Sequence, residues 1–186
     1  ENTLIIVTYD NGRVVNDGYA DLSEELLGDH KPAGPLRGGK YSMFEAGTRV
    51  PFVSYWKGVI SPGVSEALVS QIDLLNSLAS LVGSEQTPTD SKNLMETFLG
   101  TSDLERESIV LEASTKTILK KGDWVLIPPY KGPVFYKMVQ IESANSDAYQ
   151  LYNIKEDIEQ KNDLSNQMPE KLQEMIEEYQ AAVAIK

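Results

Sequence analysis

The stretch from Thr3 to Trp56 limits the fold more than any other part of the chain. Leu4-Ile5-Ile6-Val7 is a short apolar run rich in β-branched residues, and Asp10-Asn11-Gly12 follows it closely. An apolar run bounded by a turn signal reads as a strand buried on both faces, as in a mostly parallel sheet. In open α/β sheets, ligands sit just beyond the carboxyl ends of the strands. Asp10 and Asn11 stand at such an end. Their carboxylate and amide carbonyl are hard oxygen donors suited to Ca²⁺ or Mg²⁺. Asp-Asn-Gly is also an ordinary turn sequence, so the residues alone leave both readings open.

A polar loop leads from this turn to Leu36-Arg37-Gly38-Gly39-Lys40-Tyr41, then Glu45-Ala46-Gly47-Thr48-Arg49-Val50-Pro51. A lysine after two glycines lies on backbone that an anion can approach closely. Taken alone, Lys40 reads equally as a solvated surface lysine. The full order (strand, Asp-Asn-Gly, variable loop, Gly-Gly-Lys, aromatic, Glu-x-Gly-x-Arg-x-Pro) resembles the sulfatase family, the type I arylsulfatases. Ala46 replaces the family's first Gly after Glu, and Tyr9 and Arg13 depart from its usual Ser and Pro. The resemblance implies an α/β fold similar to alkaline phosphatase. It implies that Asp10 and Asn11 ligate a divalent cation, usually calcium, and that Lys40 binds the sulfate group. Glu45, Gly47 and Arg49 would be mainly structural. A cation and a positioned ammonium suit the charge of a sulfate ester as its S–O bond breaks.

The family's nucleophile is a formylglycine made within a Cys/Ser-x-Pro-x-Arg motif. This chain has no cysteine and no such motif; before Pro35 and Arg37 stands Ala33. The formylglycine is therefore expected upstream. The chain opens directly into a core strand without an initiating Met or signal peptide. It is read as a C-terminal fragment, predicted inactive alone, of a sulfuric ester hydrolase acting on aryl or sugar sulfates. By family resemblance the parent would be periplasmic or secreted.

The chain has 186 residues, 41% hydrophobic, and carries a formal net charge of −11. No apolar run reaches the ~18 residues of a membrane span. Residues 142–186 hold ten acids against four lysines. That balance argues against a nucleic-acid partner, which needs a basic face.

Between the two motifs, Leu22 and Leu26 have loose helical spacing and Gly28 is a stop. The resemblance implies that the irregular segment 27–35 runs over the pocket mouth. His30, the chain's single histidine, is a candidate substrate contact there, or a solvated loop residue. Asp29, Lys31 and Arg37 carry the same pair of readings. Val50–Trp56 reads as a second strand. Ile72, Leu75, Leu78, Ala79 and Val82 make a helical stripe over 70–83, expected to cover one face of the main sheet. Asp73 reads as a helix-start carboxylate favoured by the dipole. Residues 84–91 read as a polar loop, and 94–99 as a short helical turn.

From Arg106 onward, short apolar runs at 108–111, 117–119, 124–127 and 149–153 predict a small antiparallel sheet, with a turn at Lys120-Lys121-Gly122-Asp123. Gln150-Leu151-Tyr152-Asn153 through Asn162-Asp163-Leu164 resembles the family's closing signature, with Ile158 in place of its Pro. A last helix starts at Pro169, a favoured first position, with Leu172, Met175, Ile176, Tyr179 and Val183 as its apolar stripe. The expected division is 1–100, part of the main α/β domain, and 101–186, a subdomain of small sheet plus helix.

Two other function classes stay open. Phosphoester and phosphonate hydrolases of the same superfamily also hold metals and bind tetrahedral oxyanions, although they favour more histidines. A non-catalytic binding module would use the small sheet and last helix. A truncated main sheet would also expose an edge through which the fragment could self-associate.

Overall fold

The computed structural model describes residues 2–85 and 90–184. Its contacts group into two units, Glu1–Thr8 with Pro51–Ser108, and Tyr9–Val50 with Ile109–Lys186. Residues 9–50 thus belong with the C-terminal sheet. Part of the polar loop read at 84–91, residues 86–89, lies outside the described residues.

In the first unit, β1 (Ile5–Thr8) pairs antiparallel with β2 (Phe52–Tyr55), Ile5 opposite Tyr55 and Val7 opposite Val53. The sequence predicts β1 buried on both faces in a largely parallel sheet. Instead it forms half of a two-stranded ribbon. One ribbon face packs: Phe52 stacks on Phe98 at 5.0 Å, and the Ser54 hydroxyl donates to Phe98 O at 2.6 Å. The other face, Ile5, Val7, Val53 and Tyr55, is exposed. Side chains alternate along a strand, so a ribbon with one covered face leaves every second residue in solvent.

After a 3₁₀ turn at Gln71–Asp73 comes α3 (Leu74–Leu81), near the predicted bounds. Its orientation corrects the expectation. Ile72, Leu75, Leu78 and Val82 are exposed, whereas Asp73, Asn76 and Ser77 are buried. These polar side chains hold the chain before α4 (Met95–Phe98): Asn76 Nδ2 donates to Ser91 O at 2.7 Å, and Ser77 Oγ accepts from Leu94 N at 2.9 Å. Backbone groups without a strand partner need such side-chain hydrogen bonds, and these side chains take the inward side of the helix. Asp73 is fully buried and accepts from Arg106 Nε at 2.8 Å and Nη2 at 2.5 Å, besides Ser70 N and Lys92 N. It anchors a buried ion pair, a heavier role than a helix-start charge.

The second unit carries the four-stranded sheet β3 (Ser108–Ala113), β4 (Lys116–Lys121), β5 (Trp124–Ile127) and β6 (Gln150–Asn153), in that spatial order. The Gly122-Asp123 turn joins β4 to β5 in an antiparallel pair. Consecutive residues face opposite sides, and both sides are covered. Leu119, Leu126 and Leu151 pack on Met175, Leu172 and Ile176 of α5 (Pro169–Ala184). Ile118, Val125, Ile127 and Tyr152 pack on Met43 and Phe44. Met43 and Phe44 are 0% and 2% exposed. Each such burial is worth about 1.5–3 kcal/mol, so the sheet fixes the segment just after Lys40. Among the described residues, no helix is long and apolar enough to cross a membrane.

Candidate functional site

The second unit contains all four residues predicted from sequence: Asp10, Asn11, His30 and Lys40. The Asp-Asn-Gly turn is seated on α2 (Glu45–Thr48) by direct backbone contact. Gly12 N donates to Gly47 O at 3.1 Å. A Cβ on Gly12 would lie 1.8 Å from Ala46 O, and one on Gly47 would lie 2.0 Å from Ser42 O. Only glycine permits either approach. One residue further on, Arg13 O accepts from Lys40 N at 2.8 Å. Two segments far apart in sequence thus become neighbours, and Lys40 is tied to backbone three residues from Asp10.

Asp10 is exposed and Asn11 half-buried. Asn11 Nδ2 donates to Gly12 O at 3.0 Å, which turns its amide so that Oδ1 remains an acceptor. Two hard oxygen donors on adjacent residues fit a calcium- or magnesium-type ion as part of a ligand set. Among the described residues, no three His, Cys, Asp or Glu side chains gather closely enough to hold a metal. Asp10 and Asn11 would therefore supply only a share of any coordination shell.

The Lys40 ammonium donates to Asp17 Oδ2 at 3.2 Å, and the Tyr41 hydroxyl donates to Asp17 Oδ1 at 3.3 Å. The hydrogen bond to Asp17 raises the Lys40 pKa above its ordinary value, so the group is a cation throughout the neutral range. Tyr41 has φ +75°, a left-handed conformation that costs a non-glycine residue roughly 1–2 kcal/mol. It is held there beside the predicted sulfate-binding lysine. Sequence reasoning missed Asp17, an isolated acid in a polar loop with no motif around it.

His30 is exposed in the loop after α1 (Ser23–Leu27), its backbone N donating to Leu27 O at 3.2 Å. Among the described residues, its ring makes no hydrogen bond or ion pair with Lys40 or Asp10. Arg37, read as either a glycan contact or a solubilising charge, is held inside the unit. Its Nε donates to Glu142 at 2.5 Å and its Nη1 to Gln160 O at 2.6 Å, and its guanidinium lies 3.9 Å over the Phe44 ring. Gln160 is fully buried, and its Oε1 accepts from Glu45 N at 2.7 Å. Glu45 is 1% exposed, takes the Lys120 ammonium at 2.5 Å and has Arg49 at 3.7 Å. These contacts give the Glu-x-Gly-x-Arg element a structural part in seating the Lys40 segment. Phe44 meets Tyr152 edge-on at 6.0 Å, and burial pushes the Tyr152 phenol up to about 12.

The sulfatase family model matches residues 1–84. The N-acetylgalactosamine-6-O-sulfatase of Bacteroides thetaiotaomicron is 40% identical over 181 residues, 95% of this chain and 35% of that protein. Human arylsulfatase A is 36% identical over 115 residues, 59% of this chain and 20% of that one. A solved Bacteroides thetaiotaomicron structure, described with a locus for metabolism of multiple glycosaminoglycans, superimposes with a TM-score of 0.91 at 38% identity. It matches over 97% of this chain and 38% of that one. A Pseudoalteromonas sulfatase, at a TM-score of 0.73 and 22% identity, shares the fold. The chain spans about a third of the length of the bacterial relatives it matches.

Proposed function

The chain belongs to the sulfatase family, and on that premise we propose that it supplies part of the site of a sulfuric ester hydrolase acting on sulfated glycans or aryl sulfates. Lys40 binds the sulfate group. Its ammonium offsets negative charge on the nonbridging oxygens, a preorganised interaction that gains strength as the ester bond breaks. Asp10 and Asn11 hold a Ca²⁺ or Mg²⁺ ion through their oxygens. The cation supplies Lewis-acid polarisation of the sulfate. Asp17 orients the Lys40 side chain, and His30 contacts the substrate from the loop after α1.

A formylglycine nucleophile comes from outside these 186 residues, because no Cys/Ser-x-Pro-x-Arg motif lies within them. The isolated chain is accordingly inactive. The complete enzyme works in the periplasm or is secreted. A sugar sulfate is the favoured substrate class, on the strength of the N-acetylgalactosamine-6-O-sulfatase relative at 40% identity. The exposed Ile5, Val7, Val53 and Tyr55 face also supports self-association of the chain taken alone; a clean monomer by light scattering at high concentration would argue against it.

The observation that carries this reading is the pair of backbone hydrogen bonds, Gly12 N to Gly47 O and Lys40 N to Arg13 O. They tie the backbone beside the Asp-Asn-Gly turn to the Lys40 segment and to α2, which supports a shared site. The test is steady-state hydrolysis of an aryl sulfate by the complete protein. Lys40→Ala is expected to lower kcat/KM by at least ~100-fold, a loss of the order seen when one preorganised charge-stabilising group is removed. Asp10→Ala is expected to lower both activity and Ca²⁺ affinity. Full activity in Lys40→Ala, or preference for a phosphate ester over the matching sulfate ester, would overturn the assignment.

A further inference from the structure

A cleft of about 660 Å³ opens in the second unit, walled by the Lys31–Leu36 loop, and its charged lining is Arg13, Lys31, Arg37, Glu142, Glu159 and Lys161. Its volume lies within the range of small-ligand sites. Four cations face two carboxylates, but the pairing is uneven. Arg37 is bound to Glu142 at 2.5 Å, and Lys161 to Glu159 at 2.7 Å. Arg13 and Lys31 have no ion-pair partner among the described residues. Arg13 Nε is buried with no hydrogen-bond partner. A buried donor left unmade costs folding free energy, and the unpaired charge of the half-buried Arg13 guanidinium is complemented by an anionic oxygen. This positive cleft lies in a chain whose formal net charge is −11, so it is a local inversion of the general field.

Its position gives the cleft a use. Lys40 does not line it, and its ammonium is occupied by Asp17. Yet Arg13, which lines the cleft, accepts the Lys40 backbone N–H on its carbonyl at 2.8 Å. The loop wall is preformed: Pro32 and Pro35 stiffen it, and Gly34 N to Lys31 O at 2.8 Å and Leu36 N to Ala33 O at 3.1 Å close its turns. We propose that this cleft is a second anion subsite, in which Arg13 and Lys31 bind a carboxylate or sulfate on a sugar other than the one whose ester meets Lys40. The inference rests on the sulfatase reading for the identity of the ligand, a polyanionic glycan. The anion site itself stands on the cleft.

The probe is an unsulfated disaccharide containing one uronate, titrated calorimetrically into the complete protein, beside its carboxyl-reduced neutral analogue and inorganic sulfate. The uronate disaccharide is expected to bind and the neutral analogue not to. Arg13→Gln and Lys31→Gln are each expected to weaken binding roughly tenfold, as loss of one charge-assisted hydrogen bond implies. Lys31 is exposed, so Lys31→Gln keeps the test valid if Arg13→Gln unfolds. Lys40→Ala should leave this binding unchanged. That outcome separates the two readings, because Lys40→Ala tests sulfate hydrolysis while Arg13 and Lys31 test the cleft. Equal affinity for the neutral analogue, insensitivity to Lys31→Gln, or tighter binding of inorganic sulfate than of the disaccharide would each overturn the proposal.

Discussion

Removing the Glu45 carboxylate should destabilise the unit that carries Lys40, by an amount the geometry bounds. Glu45 is 1% exposed and Lys120 12%, with 2.5 Å between carboxylate and ammonium. Arg49, 47% exposed and 3.7 Å away, belongs with surface pairs worth about 0–1 kcal/mol. Glu45→Ala keeps the backbone N–H that donates to Gln160 Oε1, so the loss is confined to the side chain. Breaking a buried pair by removing one partner costs about 3–5 kcal/mol, mostly because the remaining charge is stranded. The Lys120 stem is flexible and its head is not wholly dry, which favours the low end, about 3 kcal/mol. Against a total stability of roughly 5–15 kcal/mol, that shift is plain in urea titration. Glu45→Ala/Lys120→Met should recover much of the loss, since an apolar replacement strands no charge. Loss below about 1 kcal/mol for Glu45→Ala, or a double variant no more stable than the single, would refute this account of the pair.

Asp73→Ala should cost about 3–5 kcal/mol, because it strands Arg106 and removes the acceptor of two backbone N–H groups; chemical denaturation measures it, and a change under 1 kcal/mol counts against the ion-pair role. Gly12→Ala meets Ala46 O head-on and should cost at least about 1–3 kcal/mol, with hydrogen exchange accelerated at the position-12 amide; an unchanged melting midpoint contradicts the close approach. The Asp17 hydrogen bond raises the Lys40 pKa. Its contribution to stability is therefore complete below the ordinary lysine pKa and is lost as pH rises through the raised folded value. Asp17→Asn should bring the Lys40 titration, followed by side-chain NMR, down toward the ordinary value; no downward shift would remove Asp17 as the cause.

Local patterns carried much of this protein. The runs at 108–111, 117–119 and 124–127 each lie within a strand of the four-stranded sheet, and 149–153 covers the fourth strand with one residue to spare. The stripe Leu172, Met175, Ile176 and Tyr179 packs on that sheet. Strand alternation and helical period are properties of neighbouring residues, and neighbouring residues are what a single sequence displays. The Asp-Asn-Gly and Gly-Gly-Lys elements were legible for the same reason. Short motifs keep their spacing.

The rest depended on partners distant in the chain. The apolar stripe of α3 announced a helix correctly, but Asn76 and Ser77, not the stripe, turn inward, because Ser91 and Leu94 needed hydrogen bonds. β1 was visible as a strand, yet its antiparallel partner and its exposed face follow from which segment reaches it. Nothing near Gln160 announces that it holds Arg37 and Glu45, 123 and 115 residues away. Nothing near Asp17 announces Lys40. By itself, then, the sequence determined the elements, the glycines that permit close approach, and the oxygen and ammonium groups at their motifs. Only the tertiary structure decided which faces are covered and which charges are paired, because burial and pairing are set by contacts across space that no local period encodes.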